Sequence, residues 1–399
     1  MSDIIKNRDI VIVGQQAWDV EIGSNCKNIA LEFSKNNRVL YVNAPLDTQT
    51  YLKGKSDANV KKRIDLIEGK KDNIFKIENN LWNLYPDKII RSINWLPFTL
   101  VHTIINKANN KLFAESISKA IDTLGFKDII LFNDNDIIRS FYLKDLLKPK
   151  VSVYYSRDYM LGVDYWKRHG ERLEPKLIAK SDVCVANSVY LANYCKQYNP
   201  NSYYVGQGCD LEMFVAKDQV VPNDVAPIKK PVIGYVGALQ SLRLDIDLLK
   251  HIAQNKPDWS IVLVGPEDNE FITSDLHQLE NVHFLGRKNG DQLPAYISSF
   301  DVCINPQIVN QVTIGNYPRK IDEYLAMGKP TVATYTEAMS VFADHVYLGK
   351  GKEDYIELIQ KALNEDSPEK QQERIDFASG HTWENNVNEI YAAINAVQQ

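Results

Sequence analysis

Five cysteines in 399 residues, at Cys26, Cys184, Cys195, Cys209 and Cys303 and never in a CxxC pair, offer neither a disulfide framework nor a zinc site. They read as small core residues, and a reducing cytoplasm is the expected setting. No apolar run approaches the roughly 18 residues needed to span a bilayer. The opening MSDIIKNRDI lacks the apolar stretch of a signal peptide. Short-period repeats, low-complexity tracts and nucleic-acid-binding motifs are also missing, which excludes solenoid, fibrous and most nucleic-acid-binding classes. What remains is ordinary globular material, 44% hydrophobic and 24% charged, long enough for two domains.

The net charge of −5 hides an asymmetry. Residues 1–200 hold 30 Lys and Arg against 23 Asp and Glu, and the remainder holds 16 against 28. The excess is concentrated between Tyr51 and Ala114, with 12 basic residues against 6 acidic ones. Such a surface favours an anionic partner, although a lysine-rich solvated face gives the same pattern. Trp95-Leu-Pro-Phe98, flanked by Lys88, Arg91, Lys107 and Lys111, could lie at an anionic membrane surface; its aromatics could equally pack the core.

Short apolar runs alternate with helical patterns. Strands are predicted at Asp9–Val13, Arg38–Val42, Leu81–Tyr85, Asp128–Phe132, Val151–Tyr155 and Val183–Ala186, with helices at Cys26–Asn36, Leu100–Leu124, Glu174–Ala179 and Val189–Tyr198. A polar, proline-bearing connector runs from Asp210 to Pro231, and the rhythm then restarts. Strands are expected at Val232–Val236, Ser260–Val264, Val282–Leu285, Asp301–Ile304 and Thr331–Thr334, with helices near Asp245–Asn255 and Gln292–Ser299, and a last helix at Thr382–Val397. Runs that are apolar throughout suit parallel sheets covered on both faces. The fold class is therefore α/β: two Rossmann-like, doubly wound domains facing across a cleft. Their boundaries fall at residues 1–208 and 209–381, with 382–399 a terminal helix packing back on the first domain.

The stretch from Gly315 to Pro330 reads as a loop delivering a helix into a buried strand. Asn316 suits the N-cap, Pro318 is tolerated in the first turn, Gly328 fits the position after the C-cap, and Pro330 stops the helix. Arg319 and Lys320 at that helix mouth form an anion site, and Glu323 one turn on supplies an acceptor for hydroxyl groups. Phosphate and polyol together point to a nucleotide-sugar.

Tyr317-Pro-Arg-Lys-Ile-Asp-Glu-Tyr-Leu-Ala-Met-Gly-Lys-Pro330 resembles the P-x-K-x-x-E-Y-L-A-x-G-K-P signature of family 4 type glycosyltransferases of GT-B fold. Ser181–Ser188, Tyr204–Asp210, Ile233–Leu239, Val262–Pro266 and Phe284–Arg287 agree with that family in order and spacing. The subgroup it resembles assembles bacterial cell-surface polysaccharide of the teichuronic acid type. The resemblance implies that Glu323 accepts from the donor ribose, that Arg243 stands where a lysine usually holds the diphosphate, and that Gly286 and Arg287 lie against the base. It also makes Gly14 a turn that admits donor and acceptor, and Gly237 the glycine ending the first strand of the second domain. With Asn316, Arg319 and Lys320, these are the expected donor-binding residues. Three positions depart from the pattern: Gly315 stands where the family has a first glutamate, Ala238 replaces an arginine, and Asn133-Asp134 replaces a histidine.

Departure of a nucleoside diphosphate needs its charge stabilised, and guanidinium and ammonium groups do that, although any one of them could be a plain surface cation. Asp134 and Asp158 follow buried strands and are the candidate catalytic carboxylates on the acceptor side, with helix capping as the alternative. Asp134-Asn-Asp136 also spells a DxD triplet, yet two sheets do not suit the single-sheet enzymes that use it with a metal, and no metal is expected. The resemblance implies a metal-independent hexosyltransferase, retaining in mechanism and without a cofactor beyond its nucleotide-sugar of UDP or GDP type. Its expected partners are a glycan or lipid-linked acceptor and an anionic membrane surface on the cytoplasmic side. A non-catalytic GT-B subunit and a nucleotide-sugar epimerase are the rival readings.

Overall fold

A computed structural model describes residues 4–19, 24–54, 56–215 and 219–398. Residues 1–3 of the amino-terminal segment and 216–218 of the expected connector lie outside the described residues. The chain divides into two compact units, Met1–Gly206 with Asn386–Gln399, and Gln207–Asn385.

The first unit is built on strands β1 (Asp9–Gly14), β2 (Arg38–Val42), β4 (Ile74–Glu78), β5 (Leu81–Leu84), β7 (Ile130–Asp134), β8 (Val151–Ser156), β9 (Val183–Ala186) and β10 (Ser202–Tyr204), with a small pair β3 (Leu46–Asp47) and β6 (Ile89–Ile90) beside them. The large sheet has the order β10-β9-β8-β7-β1-β2-β5-β4 and is parallel except for β4. Strands β1, β7, β8 and β9 are buried along their whole length, which explains why their sequences are almost unbroken apolar runs. Pairing sets Gly14 opposite Asp134, and Asp134 opposite Tyr155, at the carboxyl ends of neighbouring strands. The exposed residues of β4, and the two-residue β3 and β6, carry too little apolar signal to be read from sequence. The helix expected at Glu174–Ala179 starts at Asp164 and runs to Lys180 with Pro175 inside it. Gly170 and Pro175 weaken the local propensity there; burial of His169, Leu173 and Leu177 overrides it. In the same unit, Tyr391 of the last helix (Trp383–Ala396) accepts a hydrogen bond from Asn37 Nδ2 at 2.9 Å and packs on Phe33 at 5.4 Å.

The second unit is a wholly parallel sheet of β11 (Val232–Val236), β12 (Ser260–Val264), β13 (Val282–Gly286), β14 (Val302–Asn305), β15 (Thr331–Thr334) and β16 (Tyr347–Gly349), in the order β13-β12-β11-β14-β15-β16. Side chains alternate between two cores. Val232, Val236, Val262 and Val264 join Phe300, Ile321 and Tyr324 on one side. Ile233, Tyr235, Ile261 and Leu263 join Leu249 and Ile252 on the other. With both faces buried, a period-two strand reads as a continuous apolar run. Helices Lys352–Glu365 and Pro368–Ser379 complete this unit, in a region where the sequence reading set no element.

Candidate functional site

In the second unit, strands β11 and β12 are followed directly by Gly237 and Gly265. Both have positive φ, 145° and 157°, and a Cβ on Gly265 would lie 1.9 Å from the Gly237 carbonyl oxygen. A Cβ on Gly237 would meet Lys320 Nζ at 2.9 Å and the Tyr235 hydroxyl at 2.8 Å. Lack of side chains here is what lets a lysine lie against the strand ends.

That lysine opens the helix Lys320–Ala326. Its Nζ donates to the Tyr235 hydroxyl at 2.6 Å and sits 4.4 Å from the ring centroid, while the Tyr235 O–H points to the Ala238 carbonyl at 3.3 Å. Lys320 Nζ thus rests against a π face and makes no ion pair among the described residues. Glu323, one turn on, is half-buried, and its carboxylate has no hydrogen bond or ion pair within the protein among the described residues. Burial raises its pKa, and Arg319 and Lys320 pull it back. An unspent acceptor beside two cations is the arrangement that holds a hydroxyl-bearing, anionic ligand.

The helix start itself corrects the sequence reading. The cap falls on Arg319, without a side-chain cap bond, and not on Asn316, whose N–H is bonded to the Thr313 carbonyl at 3.0 Å. The Ile321 N–H is already taken by the Pro318 carbonyl at 2.9 Å. Positive charge at this end therefore comes from side chains more than from bare backbone amides. The other end matches expectation. Gly328, at φ 70°, donates to Leu325 O at 2.8 Å and Lys329 to Tyr324 O at 3.0 Å, the paired bonds of a Schellman cap.

What fixes this helix is a network the sequence reading missed. Asp322 is completely buried; its Oδ1 lies 2.5 Å from His381 Nδ1 and accepts from the Tyr317 hydroxyl at 3.1 Å, and its Oδ2 accepts from Cys209 Sγ at 3.2 Å. Cys209 and His381, distant in sequence, and Tyr317 five residues away thus lock one face of the helix through Asp322, so that Lys320 and Glu323 stay on another. No local signal links His381 or Cys209 to Asp322.

Arg243 lies in the loop after β11, exposed, and its carbonyl accepts from Ile308 at 2.9 Å. Asn310 Nδ2 donates to Leu242 O at 2.8 Å, which ties that loop to the segment leading to Gly315 and Asn316. Gly286 ends β13 at φ 66°, and Arg287 beside it is exposed. Arg319 lies with Nη2 3.9 Å from Asp210. Gly237, Lys320 and Glu323 are drawn together around one helix, whereas Arg243, Gly286, Arg287 and Asn316 stand on separate loops of the same unit.

Gly14, Asp134 and Asp158 belong to the first unit. A Cβ on Gly14 would fall 2.5 Å from the Tyr41 hydroxyl, so close packing alone demands the glycine. Asp134 has no exposed surface; its Oδ1 accepts from Arg157 Nε at 2.8 Å, and burial raises its pKa against the pull of Arg157 and the neighbouring Cys26 thiol. In this structure Asp134 is covered and serves as an anchor for Arg157. The same arginine holds Asp158 at 2.7 Å, and Asp158 is 45% exposed. Asp136 caps Ile138 and Arg139 and bonds Arg139 Nε at 2.8 Å, so each carboxylate of the DxD triplet faces its own arginine.

Residues 230–365 match the family model of glycosyl transferases group 1. A Bacillus subtilis (strain 168) protein named as a teichuronic acid biosynthesis glycosyltransferase, TuaH, is 26% identical over 222 residues, or 53% of this chain; the chain spans about half of that relative, 56% of its length. Sucrose-phosphate synthase from Thermosynechococcus elongatus superposes with TM-score 0.63 at 13% identity, covering 98% of each chain. Anabaena HepE, solved with UDP and glucose, superposes at 0.60 and 16% identity, over 97% of this chain and 99% of that one. The chain therefore carries a glycosyl transferases group 1 domain over residues 230–365 and has the GT-B fold.

Proposed function

We propose that this protein is a glycosyltransferase that moves a sugar from a nucleotide-sugar of UDP or GDP type to a glycan or lipid-linked acceptor in surface polysaccharide biosynthesis. The observation that carries the reading is the unspent Glu323 carboxylate one turn from Lys320, beside the side-chain-free ends of β11 and β12. Glu323 accepts hydrogen bonds from the donor ribose, Lys320 and Arg243 face the diphosphate, and Gly286 and Arg287 border the base. Asp158 is the acceptor-side carboxylate. The family match and the nucleotide bound in HepE support this reading. Lys320 and the arginines neutralise the leaving diphosphate without a metal.

Melting temperature with UDP, GDP, ADP and CMP, with and without Mg²⁺, tests it, because a ligand that binds the folded state raises stability as ln(1 + [L]/Kd). UDP or GDP should raise the melting temperature, and Glu323→Gln and Lys320→Gln should each weaken that nucleotide roughly tenfold or more. No shift with any nucleotide would sink the proposal. A second reading, a GT-B subunit without turnover, is favoured by one specific feature, Gly315 in the place of the first glutamate. Nucleotide binding without hydrolysis or transfer would select it.

A further inference from the structure

The first unit contains a cavity of about 570 Å³ that none of the donor residues touches. It opens beyond the carboxyl ends of β2 and β7, between the segment Arg91–Trp95, Asn106 of the helix Thr99–Leu124, Arg139, and the start of the helix Asp164–Lys180. Ligands of doubly wound folds bind at that end of the strands.

The polar groups at its wall are mostly donors. Tyr142 N–H donates to Asn110 Oδ1 at 2.8 Å, which fixes the Asn110 amide. Asn110 Nδ2 must then donate, and it reaches Asn106 Oδ1 at 3.0 Å. Asn110 Nδ2 also has the Asn106 and Ile138 carbonyls at 2.9 and 3.1 Å, and the buried Asn106 Nδ2 has no acceptor among the described residues. Arg139 gives Nε to Asp136 and leaves its terminal amino groups without a protein partner among the described residues. Arg91 is clamped through its backbone by Asn109, with bonds of 2.9 and 2.8 Å, and its exposed guanidinium has no protein partner among the described residues. Two carboxylates share the wall: Asp47 is spent on Gln49 N, Thr50 N, Thr50 Oγ1 and Ser92 Oγ, and Asp164, exposed at the start of its helix, is left to accept from sugar hydroxyls. Trp95 and Trp166 add aromatic surface to the same wall.

We infer that this cavity binds a saccharide unit carrying an acidic group, phosphate or carboxylate. Arg91, Arg139 and the Asn106 amide take the anion, and the tryptophans take the C–H face of the pyranose ring. A neutral sugar would leave the largely buried Arg139 guanidinium and the buried Asn106 donor without an anionic partner, and would gain nothing from Arg91. As the acceptor of the transfer, this unit rests on the function proposed above; its binding does not.

Calorimetry on the full chain without nucleotide tests the site, using maltose, a phosphorylated maltose and cellobiouronic acid. At least one acidic disaccharide should bind about tenfold or more tighter than maltose, and the tighter of the two identifies the anion. Arg139→Gln and Arg91→Gln should each remove that advantage. Arg91 is exposed, so its variant carries the test even if loss of the Arg139–Asp136 bond unsettles the fold. Equal binding of acidic and neutral sugars, no saccharide binding, or an advantage that survives both substitutions would overturn the inference. Acidic saccharides bound by a chain that binds no nucleotide would keep this site and remove the transferase reading.

Discussion

Glu174 is the buried ionisable residue whose protonation can be followed most directly. Its carboxyl accepts from the Tyr154 hydroxyl at 2.7 Å and the Tyr194 hydroxyl at 3.3 Å, with Cys195 also close by. Burial pushes its pKa up to about 7, and the two tyrosines only soften that rise. A carboxyl raised in the folded state binds more protons there than in the unfolded chain, so its contribution is full below pH 4.5 and is lost by about pH 7. The loss amounts to about 2–3 kcal/mol. Glu174→Gln should remove that component: by urea unfolding at pH 5 and pH 8, the variant should lose less stability than the parent protein as pH rises. Parallel pH profiles would show that Glu174 does not titrate in this range. Residues of this kind were invisible in the sequence, where Glu174 reads as one more polar position before Pro175. The Gly14–Tyr41 contact was equally hidden, and Gly14, expected as a turn, is the last residue of β1.

At the scale of elements, the strand ends decide where a ligand can approach. Gly265→Ala would set a methyl group 1.9 Å from the Gly237 carbonyl, on a backbone that L side chains rarely adopt. Overpacking and strain together should cost about 2–4 kcal/mol and lower the melting temperature by several degrees. Gly290→Ala, with nothing within 4 Å and no left-handed backbone, is the matched control and should stay within about 0.5 kcal/mol. Similar losses in both would remove the steric account. Strands β11, β12 and β15 lie where their apolar runs indicate, since burial on both faces leaves an unmistakable pattern. The helix Lys320–Ala326 starts later than its sequence suggests, because the Thr313 and Pro318 carbonyls take the amides that an earlier start would have left for capping.

At the scale of the molecule, the described residues of the first unit carry an exposed apolar cluster. Trp95 is 60% exposed and Phe98 69%, and Leu100 and Ile104 lie just beyond on the same segment. The alternative that these aromatics pack a core is therefore removed. Lys107 and Lys111 are exposed on the helix Thr99–Leu124 that follows. No helix among the described residues is long and apolar enough to cross a membrane. Sedimentation with vesicles containing anionic lipid should show binding that weakens markedly between 50 and about 500 mM salt, and Trp95→Ala with Phe98→Ala should reduce it. Indifference to lipid charge would remove the membrane contact expected from the sequence.

By itself, the sequence determined the repeating strand-and-helix order, the buried strands, the Gly328 helix stop and the family signature around Glu323. All of these depend on local spacing, which period, caps and turn chemistry write into neighbouring residues. Only the tertiary structure showed that Asp134 is buried against Arg157, that Asp322 is locked by His381, Tyr317 and Cys209, and that the Asn106 amide has no acceptor among the described residues near Arg139. Those roles arise from burial and from partners far apart in the chain, and spacing along a sequence does not encode either.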